Sequence, residues 1–244
     1  MFNKLAVLPF LLACTAHSMA DVSFTATNQS LQSGMINELS AQSDTGSGLL
    51  AVGNNSALPA SPTYRNGILS FDIGAIPDNI VFTGANLTLR HQTSFGSAPL
   101  IPTGYDVYLV GFSNAAAAYP AGAIFKSDDI DQPSGDGIRI ADNAFGFLST
   151  VGTSVSITSS SLIDALNTRP NGNGGDYVFF RINGDATPPA DFRSAVIISN
   201  LPTSPGNFPT FSMTYAPAPE PSSAILIGIG AVALSSRRSQ RRKA

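Results

Sequence analysis

An all-β chain folded as a single two-sheet β-sandwich of jelly-roll type, with one short helix, is predicted by three observations. Apolar residues recur at every second position in short segments, long stretches with a 3.6-residue period are absent, and Gly- and Pro-rich turns separate the segments. About ten short strands in the body fit two packed sheets. Hydrophobic residues make up 43% of the chain, enough for a core, while charged residues make up only 12%, about half the usual share. Neutral hydrogen-bonding surfaces of this kind suit an extracellular β-protein and disfavour a cytosolic helical enzyme.

In chain order, Val22 to Thr27 alternates with Val22, Phe24 and Ala26 on one face. Leu69, Phe71 and Ile73 form the next one-sided set, followed by Ala85, Leu87 and Leu89. Asp106 to Phe112 reads as a central strand that is apolar on both faces. Ala115 to Ala118 suits a helical turn ended by Pro120, and Ser160 to Asn167 suits the one helix, with Leu162, Ile163 and Leu166 inward. Val178, Phe180 and Ile182, then Phe211, Met213 and Tyr215, complete the alternating sets. Loops are expected at Ser94 to Gly104, Gln132 to Gly137, Asn171 to Gly175 and Asp185 to Ala190, with Pro202 to Pro209 joining the last two strands.

The two ends have a different character. Residues 1–20 read as a secretory signal peptide: Lys4 is the positive charge, Leu5 to Ala13 the apolar stretch, and Ser18-Met19-Ala20 the small-residue exit, with cleavage between Ala20 and Asp21. Leu11-Leu12-Ala13-Cys14 also approximates a bacterial lipobox, in which Cys14 would become a lipidated N-terminus. With the exit at Ala20 the mature chain has no cysteine, so packing alone must hold it together. The sandwich body is expected over 21–216 and a C-terminal segment over 217–244. Within the latter, the run 222–236 has eleven residues, Ala224 to Leu234, without a polar side chain. A comfortable span takes about 20. Arg237, Arg238, Arg241, Arg242 and Lys243 follow as a cytoplasmic stop-transfer cluster. Such a segment suits a transient inner-membrane anchor.

Pro219-Glu220-Pro221, the apolar run and the basic cluster together resemble the PEP-CTERM sorting signal. The resemblance implies a Gram-negative host that makes exopolysaccharide, and an exosortase-type processing protease that cuts near Pro219-Glu220-Pro221. It also implies a destination at the cell surface or in the extracellular biofilm matrix. The stretch Tyr64 to Gln92 is similar to the opening of the DNRLRE, or disaggregatase-related, extracellular jelly-roll modules. Arg65, Phe71-Asp72, Ile76-Pro77 and Ala85-Asn86-Leu87-Thr88-Leu89 carry this likeness. It implies a jelly roll and exopolysaccharide binding, although the chain lacks the Trp that usually stacks on sugar.

Between Asp21 and Glu220 lie seven basic and all sixteen acidic residues, a formal charge of −9. Such a body repels nucleic-acid phosphates and anionic lipid surfaces. His91 is the one histidine outside the signal and continues the Ala85-Leu87-Leu89 face, which marks it as a structural, hydrogen-bonded residue. With no Gly-x-Ser-x-Gly elbow to support a Ser-His-Asp triad, no catalytic residue is assigned. Asp128, Asp129, Asp131 and Asp136 form the densest carboxylate group, either a solvated acidic loop or a structural calcium site. Arg65 and Asp72 bracket one strand and suit a buried structural pair, while Gly172 to Gly175 reads as a hairpin turn. Tyr64, Tyr105, Tyr108, Tyr119 and Tyr177 are the aromatics best suited to sugar stacking, most of them expected in the core or at the rim. The expected activity is therefore that of a non-enzymatic envelope or matrix protein. A carbohydrate-active enzyme, a glycosidase or lyase acting on matrix polysaccharide, is the alternative.

Overall fold

The computed structural model describes residues 21–28, 34–37, 40–45, 49–54, 64–96, 104–118, 120, 137–146, 152–170, 172–184, 194–199 and 208–218. Two four-stranded antiparallel sheets make up the sandwich. Sheet 1 runs β9 (Ser154–Ile157), β6 (Ile80–Gly96), β12 (Thr210–Pro217), β1 (Val22–Asn28). Sheet 2 runs β8 (Ile138–Gly146), β7 (Gly104–Ser113), β10 (Tyr177–Gly184), β5 (Tyr64–Asp72). When these eight strands are counted in chain order, sheet 1 reads sixth, third, eighth, first and sheet 2 reads fifth, fourth, seventh, second. That interleaving is the jelly roll, two nested Greek keys.

Strands that change sheets close the sandwich at its corners. The end of β1 leaves β12 and pairs Thr27 and Asn28 with Asp72 and Phe71 of β5. The second half of β6 pairs with β11 (Ser194–Ser199), which pairs with β4 (Leu49–Asn54), whose end meets β5 at Tyr64 and Arg65. A hairpin of β2 (Gly34–Asn37) and β3 (Ser40–Thr45) lies along the other edge of β5. The expected loop at Ser94 therefore begins later, because β6 stays paired through Gly96. Ala115 to Ala118 makes a single hydrogen-bonded turn. Gly172–Gly175 is a short 3-10 turn leading from the helix into β10, and not the expected hairpin turn.

The alternating residues meet in one core. Leu87, Leu89 and Phe211 from sheet 1 face Leu69, Phe71, Val178 and Phe180 from sheet 2, all at 1% exposure or less. The rings of Phe71, Phe180 and Phe211 pack at 5.1 to 5.9 Å between centroids, a spacing that favours aromatic pairs. Helix α1 (Ser160–Leu166) closes the core alongside β6 with Leu162, Ala165 and Leu166 buried, while Ile163 stays half-exposed. Asn167, at its end, acts as a substitute strand partner for the β6 edge. Its Oδ1 accepts the Phe82 N–H at 2.8 Å, and its Nδ2 donates to the Phe82 carbonyl at 3.2 Å.

Arg169 fastens the β5–β6 turn. Its guanidinium donates to the carbonyls of Ile76 and Pro77 at 2.9 Å and lies 3.6 Å from Asp78 and 5.8 Å from the Phe82 ring centroid. Burial lowers its pKa from the usual arginine value, with Asp78 and Asp176 opposing that shift. Asp72 does similar work at the end of β5, where its carboxylate accepts the Gly74 N–H at 2.9 Å in a side-chain-capped turn. The strand pattern Phe71-Asp72, then Ile76-Pro77, thus has a direct physical role as a turn held by side chains. Arg65 and Asp72 do not pair with each other as expected. They sit seven positions apart on one extended strand, about 23 Å in all, too far for the pair.

Candidate functional site

The two sheets present their outward faces very differently. On sheet 1 the outward residues form rows across the strands. Ser156, Thr88 and Thr210 make one row, Asn86, Ser212 and Thr25 the next, and Gly84, Thr214 and Ser23 a third. Their side chains are half-buried or exposed. Ser156 Oγ donates to Asn86 Oδ1 at 2.6 Å, and Thr83 Oγ1 to Thr214 Oγ1 at 3.2 Å, so the hydroxyls and amides hold one another in place. Arg90 adds one charge at the far end, opposite Ser154.

Where Gly84 supplies no side chain, the face dips into an open trough of about 400 Å³. Ser23, Thr25, Asn86, Ser212 and Thr214 line it, with Thr158 and Ile163 beside the start of α1. A Cβ at Gly84 would come 2.5 Å from Thr214 Oγ1, so the glycine is what keeps the trough open. No carboxylate, histidine or cysteine lines it. Phe24, Ala85 and Met213 complete a largely apolar lining, so the trough offers apolar contact edged by hydroxyl and amide groups, with no carboxylate or imidazole beside them to activate a hydroxyl. A volume of this size is within the range of small-ligand sites.

On sheet 2 the outward residues are buried. Asn183 of β10 lies opposite Asp106 of β7, and Arg181 opposite Tyr108, all at 2% exposure or less. Arg181 Nε donates to Asn183 Oδ1 at 3.1 Å, and its guanidinium stacks 4.9 Å from the Tyr108 ring centroid. Asp106 accepts the Asn143 N–H at 2.7 Å and lies 3.4 Å from both Arg139 and the Tyr108 hydroxyl. The bulge in β8 that delivers the Asn143 N–H holds Asn143 at φ 49° and sets its side chain where a Cβ on Gly104 would be, so only glycine fits there. Tyr108 is taken up by this network and Tyr105 by the core between the sheets, both at 1% exposure, so neither is open to sugar stacking. Tyr177 is half-buried against Ile68 and Phe179.

A second hollow, of about 210 Å³, lies at the end of the sandwich between Asp78, Asn79, Asn167, Arg169 and Ala218. The Ala218 N–H donates to the Asn79 carbonyl there at 3.0 Å. His91 is buried at 2% exposure on the core side of β6, and its backbone bonds Gly152 and Thr153, as suits a structural residue. The expected signal segment with Ala20, the expected sorting residues Pro219, Glu220 and Pro221, the basic cluster, Asp128, Asp129, Asp131 and Asp136, and the side chains of Tyr64, Arg65 and Tyr119 lie outside the described residues. Among the described residues no group of His, Cys, Asp and Glu could hold a metal, and no helix is long and apolar enough to cross a membrane. Strand β12 runs through Pro217, one residue beyond the expected body boundary.

The neutral trough had no signal of its own in the sequence. Asn86 and Thr88 stood out only as the polar positions between Ala85, Leu87 and Leu89. The rows exist because β12 brings Ser212 and Thr214 beside them from far along the chain.

No protein-family model matches the chain, and no curated protein matches it. Among solved structures the chain is similar to Desmodium yellow mottle tymovirus, at 11% identity over 91% of this chain and 100% of that one, with a TM-score of 0.27. It is also similar to the structure of infectious bursal disease virus Gt strain, at 13% identity over 90% of this chain and 42% of that one, with a TM-score of 0.18.

Proposed function

We propose that this chain is an exported, non-enzymatic protein of the cell envelope or extracellular matrix that is sorted by its C-terminal segment and binds neutral exopolysaccharide through the outward face of sheet 1. The observation that carries the binding half is the trough: an open, concave and largely apolar surface edged by the hydroxyl and amide groups of Ser23, Thr25, Asn86, Ser212 and Thr214, with no titratable side chain in its lining. Each such group can exchange hydrogen bonds with sugar hydroxyls, and the body charge of −9 favours an uncharged polymer over an anionic one. The sorting half is supported by the signal-type N-terminus, Pro219-Glu220-Pro221, the short apolar run and the basic cluster. On this reading an exosortase-type protease removes the tail and the inner membrane holds the precursor only in transit.

Residues 21–218, applied to an array of neutral and anionic bacterial polysaccharides, should bind neutral members. Binding to none of them, or cleavage of any of them, would overturn the reading. The intact mass of the protein recovered from the matrix tests the sorting half. Loss of Arg237 to Lys243 supports it, and their retention makes the tail a permanent anchor.

A further inference from the structure

Both chain ends leave the sandwich at the same place. β1 and β12 are antiparallel neighbours, and Val22 pairs with Tyr215. Asp21 and Pro217 therefore emerge side by side, on strands about 4.8 Å apart. At the C-terminal exit the fold holds the chain through Ala218, since Pro217 pairs with Ile80 and the Ala218 N–H donates to the Asn79 carbonyl. Only Pro219, Glu220 and Pro221 then separate the body from Ser222, where the membrane segment begins, so Ala218 and Ser222 lie at most about 14 Å apart.

The surface around this exit sets exposed apolar groups beside the exposed carboxylates of Asp21 and Asp78. Val22 and Val81 are 44% and 40% exposed and are two of the three large hydrophobics exposed among the described residues. Ala75, Pro77 and Pro217 add further exposed apolar groups, and the nearby Asp78 lies against Arg169.

We infer that the precursor stands end-on at the membrane, with the Ile73–Ile80 turn and the Ala218 exit against the lipid surface and the processing protease, and the Ser154 end pointing away. This rests on the sorting reading above and adds the orientation of the folded body. The tether is what sets that orientation, because a body of charge −9 is repelled by anionic lipid and drifts off once the tail is cut. The protease must therefore work against the folded end of the sandwich and not on a free linker.

Cys14 is the only cysteine, so a Cys14→Ser chain accepts a single dye at Asn79→Cys or at Ser154→Cys, both exposed positions about 33 Å apart along β6. Each full-length labelled chain is reconstituted in phosphatidylethanolamine–phosphatidylglycerol vesicles that carry a nitroxide-headgroup lipid. Loss of fluorescence at position 79 with none at position 154 is the expected result. Equal quenching at the two positions, or none at either in chains that float with the vesicles, overturns the orientation and leaves the sorting reading standing. Chains that do not float with the vesicles overturn both.

Discussion

Outward positions of β6 and β12 on sheet 1 are Asn86, Thr88, Ser212 and Thr214, all partly open to solvent. The matching positions of β7 and β10 on sheet 2 are Asp106, Tyr108, Arg181 and Asn183, all buried. The same two-residue alternation produces both faces, and the same core lies beneath them. Their difference separates buried groups held inside the fold from partly exposed groups at its surface. A buried carboxylate and guanidinium lose their hydration and must recover it from neighbours, Asp106 from Arg139, Tyr108 and the Asn143 N–H, and Arg181 from Asn183 and the Tyr108 ring. Exposed hydroxyls keep their access to water, so changes among them are expected to cost the fold little.

The largest expected effect is on sheet 2. Asp106→Ala leaves Arg139, the Tyr108 hydroxyl and the Asn143 N–H without their carboxylate and should cost about 3–5 kcal/mol in urea unfolding. Phe180→Ala, which removes a ring packed on both Phe71 and Phe211, should cost about as much, 3–5 kcal/mol. If Asp106→Ala costs less than about 1 kcal/mol while Phe180→Ala costs the full amount, the sheet 2 network is not structural and the comparison breaks.

A smaller effect is expected at the floor of the trough. Gly84→Val pushes Thr214 aside and should destabilise by about 1–2 kcal/mol. Because it fills the trough, it should weaken polysaccharide binding by at least about tenfold, or 1.4 kcal/mol, in a titration. Smallest of all, Thr25→Ala and Ser212→Ala should each change stability by no more than about 0.5 kcal/mol, read from thermal melts. A larger loss at either would show that the sheet 1 face carries part of the fold after all.

How far the sequence showed this depends on which neighbour decides a residue's role. Leu69, Phe71, Leu87, Phe180 and Phe211 were legible because alternation alone puts them on the core face, and all are fully buried. The helix at Ser160 was legible from its spacing. Asp106 read as part of an apolar central strand, and nothing nearby in sequence reveals its partners: Arg139 and Asn143 come from β8, across a bulge that no residue pattern marks. The strands β2, β3, β4 and β8 had no clear alternating signal, since Ser40–Thr45 is polar apart from Ala41 and Ile138–Gly146 is interrupted by the bulge. Arg65 and Asp72 misled because their closeness in the pattern is measured along a strand, where seven positions mean distance. The trough depended on the pairing of β6 with β12, a long-range contact that period alone does not supply.

The account rests most on the claim that the sheet 1 face binds neutral polysaccharide while the rest of the sandwich supports it. Calorimetric titration of residues 21–218 with the neutral polysaccharide bound best on the array, compared with the double variant Ser212→Ala and Thr214→Ala, tests this directly. The account predicts an affinity loss of at least about tenfold at an unchanged melting temperature. Undiminished affinity in the double variant, or a loss that only follows a fall in melting temperature, would contradict it.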